Sequence, residues 1–156
     1  MESIVVTATS REARYQELLP QIKGLLQGEA DLIANMANMV AALKQGLGFF
    51  WIGFYLVKNN ELVLGPFQGP VACTRIQKGK GVCGHAWQTA QTVLVPDVEA
   101  FPGHIACSAL SKSEVVLPIF RDNEVVGVLD IDADTLNDFT EVDVQYLTQI
   151  LQLLPL

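Results

Sequence analysis

The sequence predicts an α+β domain: an antiparallel sheet with helices on one face and a ligand pocket on the other. Three observations carry this. Two apolar-periodic segments at 11–27 and 30–45 open the chain. Two pairs of extended runs, 48–58 with 61–69 and 114–122 with 124–134, each meet at a short polar turn. A third amphipathic segment, Phe139 to Leu154, closes the chain.

In residues 11–27, Tyr15, Leu18, Leu19, Ile22, Leu25 and Leu26 recur at helical spacing after a capping Ser10, and Pro20 is expected to kink or break the helix. Residues 30–45 place Leu32, Ile33, Met36, Met39, Val40 and Leu43 on one helical face, ended by Gly46 and Gly48. The aromatic run at 48–58 turns at Asn59-Asn60 into 61–69. Residues 70–80 show few regular features. Residues 81–91 read as a short helix, 92–97 as a brief strand ending near Pro96, and 98–112 as a loop or irregular helix. The second hairpin turns at Asp122-Asn123, and Thr140, Glu141 and Asp143 suit the start of the last helix. The first and last helices and the one between them cover one sheet face, and the 70–112 insert covers the other. A pocket between sheet and insert is the natural ligand site.

The 156 residues suit one domain, 1–156, with a core large enough to stand without staples. Half of them are hydrophobic and 17% are charged, which argues against disorder. A net charge of −7 and the lack of any Lys/Arg run argue against nucleic acid and anionic membranes as partners. No apolar stretch approaches the ~20 residues of a membrane span. The first residues, with an acid at Glu2 and no basic region, read poorly as a signal peptide, so a cytoplasmic location is expected.

The three cysteines, Cys73, Cys83 and Cys107, make an odd set that does not fit a secreted disulfide framework, and no CxxC occurs. All three fall in the insert, whereas filler cysteines favour core elements. Cys83 lies near a predicted helix start, where the dipole favours a thiolate. Cys107 lies among the small residues Ala106, Ser108 and Ala109, which leaves it accessible. Unconnected buried thiols remain an alternative, as does a zinc site built from Cys83, His85, His104 and Cys107. The segment LDIDAD puts Asp130, Asp132 and Asp134 on one strand face, with Leu129, Ile131 and Ala133 on the other. These acids are either a solvated strand end or a wall that binds an ammonium group or donates a proton. Glu114 starts the neighbouring strand. Trp51 and Tyr55 share a strand face and serve either as core or as an aromatic cage.

The run WIGFY, the stretch GPFQGPVACTRIQKGKGVCGHAW, then VPDV, FPGHIACSALSKSEVVLPI and GVLDIDAD together resemble the free methionine-(R)-sulfoxide reductases, a GAF-domain family. The resemblance spans nearly the whole chain. It implies a GAF-type sheet and, as substrate, free L-methionine-(R)-sulfoxide. It implies that Cys107 is the catalytic cysteine, Cys73 its resolving partner and Cys83 a further cysteine able to join the cycle. It implies that Trp51 and Tyr55 surround the substrate methyl group, and that Glu114, Asp130 and Asp132 bind the substrate and polarise the sulfoxide. Thioredoxin is the implied reductant; no metal or other cofactor is implied, and a homodimer is compatible. The rival is a non-catalytic GAF sensor module for a small ligand, which calls for an output domain.

Overall fold

Like charges set side by side on a buried strand face need a stiff scaffold, and the arrangement of the strands supplies it. The computed structural model describes residues 3–105 and 107–156, so Glu2 and Ala106 lie outside the described residues. Six strands form one antiparallel sheet in the order β3-β2-β1-β6-β5-β4. They are β1 (Trp51–Lys58), β2 (Glu61–Gln68), β3 (Arg75–Ile76), β4 (Val93–Val95), β5 (Ser113–Arg121) and β6 (Glu124–Ala133). The helices are α1 (Arg11–Leu26), α2 (Leu32–Leu47), α3 (Gly81–Thr89) and α4 (Glu141–Leu151), with a single 3-10 turn at Val98–Ala100. Both hairpins turn as the sequence predicts: Asn59-Asn60 and Asp122-Asn123 all adopt positive φ, the twist that matches a two-residue hairpin.

The alternation of side chains divides the sheet into two cores. Ile52, Phe54, Val115, Leu117, Leu129 and Ile131 face α1, α2 and α4. Trp51, Tyr55, Val116 and Val128 face the insert, where they pack with Val82, Ala86 and Trp87 of α3. The expected pocket face is therefore the second, smaller core. Among the described residues, no helix is long and apolar enough to cross a membrane.

Four local expectations are corrected. Pro20 does not break α1, which runs through it without interruption. Pro20 is exposed, so the carbonyl that loses its N–H partner one turn earlier opens onto water. Ile33 is not on the buried face of α2 but 49% exposed; the buried polar residue there is Asn35, whose amide donates to the Glu29 carbonyl at 2.9 Å. Gly46 does not end α2: it lies inside the helix, where a Cβ would come within 2.8 Å of Leu18, and Gly48 is the left-handed cap. The featureless 70–80 stretch contains β3, a two-residue strand pinned by pairing Leu62 with Ile76 and Val63 with Arg75.

The helices are locked together around Asp143, which is 1% exposed. One of its oxygens accepts from Tyr15 Oη at 2.6 Å and Arg11 Nη1 at 3.0 Å; the other accepts from the Thr140 N–H at 2.9 Å, completing the capping box of α4. The second arm of Arg11 reaches Asp138 at 3.0 Å. Tyr15 also stacks on Tyr146 of α4 with centroids 5.1 Å apart. Asp143→Ala would strip a buried hydroxyl, a helix cap and a half-buried guanidinium of one shared partner. The expected loss is about 3 kcal/mol, read by urea denaturation. A loss below about 1 kcal/mol would show that the three bonds are individually dispensable.

Candidate active site

The register of three central strands assembles the acids. Asp132 lies directly opposite Trp51 on β1 and opposite Glu114 on β5. Two residues along, Asp130 lies opposite Gly53 and Val116. Because side chains at period two share a face, Glu114, Asp130 and Asp132 all point into the insert side. Their carboxylate oxygens lie within 4.8 Å of one another. Asp134 is not part of the group; β6 ends at Ala133 and Asp134 is exposed.

All three acids are buried, at 5%, 7% and 9% exposure for Glu114, Asp130 and Asp132. Burial first, and mutual repulsion second, push Glu114 and Asp130 well above the usual carboxylate range. Burial also pushes Asp132 up, to about 6, although hydrogen bonds from its two acidic neighbours oppose the shift. One Asp130 oxygen is buried without a hydrogen-bond partner. The cluster therefore keeps its protons to higher pH than free carboxylates do and presents an unsatisfied acceptor to whatever enters.

These acids form one wall of a pocket enclosing about 600 Å3, part of it open to solvent. Trp51 and Tyr55 form a second wall, their rings stacked with centroids 6.1 Å apart. Trp51 also stacks on Phe67 at 5.5 Å. Its indole fits only because Gly53 and Gly69 flank it: a Cβ at either would come within 2.6 Å of the ring. Gly69 also has a φ of +136°, which a side chain would disfavour.

Lys80 through Cys83, at the start of α3, form a third side. No side chain caps this helix, so its first N–H groups remain available. Gly84 keeps the helix start tight against the preceding turn, because a Cβ there would come within 2.5 Å of the Gln77 carbonyl.

The cysteines separate by environment. Cys73 and Cys107 form a disulfide, with Cα atoms 5.5 Å apart and a sequence separation of 34 residues. Cys107 is exposed and lines the pocket, as the small residues around it suggested. Cys83 departs from expectation. It is a buried free thiol inside the second core, 5% exposed, rather than an accessible thiolate. Burial and the neighbouring Asp130, Glu114 and Asp132 push its thiol well up, which overrides the helix dipole. The zinc alternative also fails to assemble. Among the described residues, the only His/Cys/Asp/Glu group close enough to share an ion is the acid trio. His85 is exposed and packs edge-on against Phe101 instead.

Among the pocket residues, Phe50 and Ser111 carry no sequence signal as site residues, and the sequence offers His104 only as a possible zinc ligand. Phe50 precedes a strand, and the other two sit in the irregular 98–112 loop. That loop is closed at its base by Val98 N–H to Lys112 O at 2.9 Å and Lys112 N–H to Ala133 O at 2.7 Å. Those long-range bonds and the disulfide at Cys107 bring it over the acids.

Known proteins share this fold. Residues 29–154 match the family model of the GAF domain. GAF domain-containing protein A of Dictyostelium discoideum is 62% identical over 98% of both chains. The free methionine-R-sulfoxide reductase of Escherichia coli is 46% identical over 87% of this chain and 83% of its own. A solved structure of the free methionine-R-sulfoxide reductase from Neisseria meningitidis, in complex with its substrate, superposes with a TM-score of 0.97. It is 50% identical and covers 99% of this chain and 94% of that one. A carboxyl cluster on the sheet and the disulfide-bonded Cys107 lining one pocket, together with whole-length identity of this order, fix the lineage: the chain belongs to the free methionine-R-sulfoxide reductase family of GAF domains.

Proposed function

We propose that this protein reduces free L-methionine-(R)-sulfoxide to L-methionine and is returned to its dithiol form by thioredoxin. The observation that carries the reading is the Cys73–Cys107 disulfide beside a pocket walled by three buried carboxyls, each pushed above its ordinary pKa. The enzymes that this chain resembles supply the substrate class.

The chemistry follows from the residue types. Sulfoxide sulfur accepts a nucleophile only when its oxygen is protonated or strongly hydrogen-bonded. Glu114, Asp130 and Asp132 supply that proton as a coupled set rather than as one named acid. Cys107, exposed at the pocket, attacks sulfur and is left as a sulfenic acid while methionine departs. Cys73 then condenses with it, expelling water and forming the disulfide. Thioredoxin reopens that bond by thiol–disulfide exchange. The buried, protonated Cys83 suits the pocket wall beside Asp130 better than the attacking role. Trp51 and Tyr55 suit the substrate's methyl group, the acids its ammonium, and the uncapped N–H groups of α3 its carboxylate. A cytoplasmic setting fits, because dithiol reductants are maintained there.

The direct test is thioredoxin-dependent NADPH consumption with each sulfoxide diastereomer of free methionine. Turnover of the R form alone, abolished in Cys107→Ser, is the expected result. Equal rates on both forms, or activity in that variant, would refute the assignment. Cys73→Ser is expected to yield one equivalent of methionine and then stall; undiminished steady-state turnover would remove Cys73 from the resolving role.

The raised pKa values of the acids also have a thermodynamic signature. A carboxyl whose native pKa lies above its unfolded value binds more protons when folded, so stability falls as pH rises through that interval. For Asp132 the interval runs from 3.8 to about 6. Asp132→Asn is therefore expected to gain stability relative to the parent between pH 4 and pH 7, by at most about 3 kcal/mol. Urea denaturation across that range measures it. A difference that stays flat with pH would mean that Asp132 is ionised throughout.

A further inference from the structure

Two pocket aromatics have hydrogen-bonding ends that the chemistry above leaves unused. Tyr55 Oη donates to the Cys73 carbonyl at 2.8 Å, and Trp51 Nε1–H donates to the Pro70 carbonyl at 2.9 Å. Both acceptors lie in the segment that carries Cys73. Apart from the disulfide at Cys73, that segment is lightly held. It forms no helix or strand, and Val71 within it is 88% exposed. Among the described residues, residues 70–73 make no other hydrogen bond. Regular pairing resumes only where Leu64 N–H meets the Thr74 carbonyl at 3.0 Å, beside β3.

The two donors are themselves fixed. Tyr55 is 2% exposed and Trp51 5%. The indole is wedged between Gly53 and Gly69 and stacked on Phe67. Both residues belong to β1, whose pairing with β6 also sets the positions of Asp130 and Asp132. One strand therefore fixes the acid wall and the carbonyls of the Cys73 segment in a single frame.

We infer that Trp51 and Tyr55 are positioning residues for Cys73, their N–H and O–H holding the 70–73 segment so that Cys73 stays within reach of Cys107 once the disulfide is reduced. This rests on the proposed redox cycle. In the step served, the Cys73 sulfur attacks the sulfur of the Cys107 sulfenic acid. The S–S bond forms, the S–O bond breaks, and the hydroxyl leaves as water with the Cys73 thiol proton. The sulfoxide has already supplied the oxidising equivalents, so no further oxidant is needed. Holding one partner near the other raises its effective concentration, and an untethered exposed segment would forfeit that.

The test compares the parent with Tyr55→Phe, which keeps the ring and removes the hydroxyl, and with Trp51→Phe, which removes the indole N–H. Each full-length protein is equilibrated in graded glutathione buffers, and the Cys73–Cys107 disulfide is counted by thiol alkylation and mass spectrometry. Loss of either bond is expected to lower the equilibrium constant for the disulfide about fivefold. A constant within twofold of the parent in both variants would overturn the inference. This measurement uses no methionine sulfoxide, so it stands apart from a failure of the parent to produce methionine. Rapid quenching of reduced Tyr55→Phe with free methionine-(R)-sulfoxide supplies a second reading. The rate of disulfide formation is expected to fall about fivefold relative to the rate of methionine release, with trapped sulfenic acid accumulating. Equal slowing of both steps would assign the hydroxyl to the substrate and refute the positioning role.

Discussion

The pairing of Asp132 with Glu114 across β5 and β6 is the constraint around which the rest of the molecule is organised. Two carboxyls directly opposed on a buried sheet face repel each other and resist desolvation. A chain free to choose would slip the register by one residue and send them to the other side. That slip is blocked because it would drive Leu129 and Ile131 out of the large core and the acids into it. The apolar contacts beneath α1, α2 and α4 thus hold the costly arrangement above. The sheet is a two-sided device, with stability invested on one face and chemistry on the other.

This division explains which parts of the molecule the sequence discloses. The acids are legible because a strand's period of two is rigid; reading LDIDAD is enough to align Asp130 with Asp132. The two hairpins are legible because Asn and Asp tolerate the positive φ that their turns demand. Pro20 misleads because the usual penalty for an internal proline is eased where the orphaned carbonyl meets solvent. Cys83 misleads in a related way. A local rule, the helix dipole, is outweighed by burial and by acids brought from β5 and β6, which no window around residue 83 contains. The 70–80 and 98–112 segments are the least legible. Their shape comes from bonds to distant residues, such as Tyr55 to Cys73 and Lys112 to Ala133.

Under the proposed cycle, rigid and irregular parts divide the reaction between them. The buried acids and the aromatic wall are built on central strands, where small displacements are costly. The sulfur atoms of Cys73 and Cys107 sit on the two irregular segments. Proton donation demands precise placement against a small ligand, and thiol exchange demands access for a second protein. A redox-active pair buried as deeply as Cys83 would be sheltered from its reductant.

The disulfide has one more consequence. It ties together positions separated by 34 residues, a span that linkage removes from the freedom of the unfolded chain. On a chain-entropy account such a closure is worth about 4 kcal/mol. Under the proposed cycle, each turnover therefore moves the protein between a tied and an untied form with different lifetimes against proteolysis. An enzyme starved of oxidised substrate would accumulate in the untied, shorter-lived form. Its abundance in a cell would then follow the supply of its substrate with no regulator beyond its own two sulfur atoms.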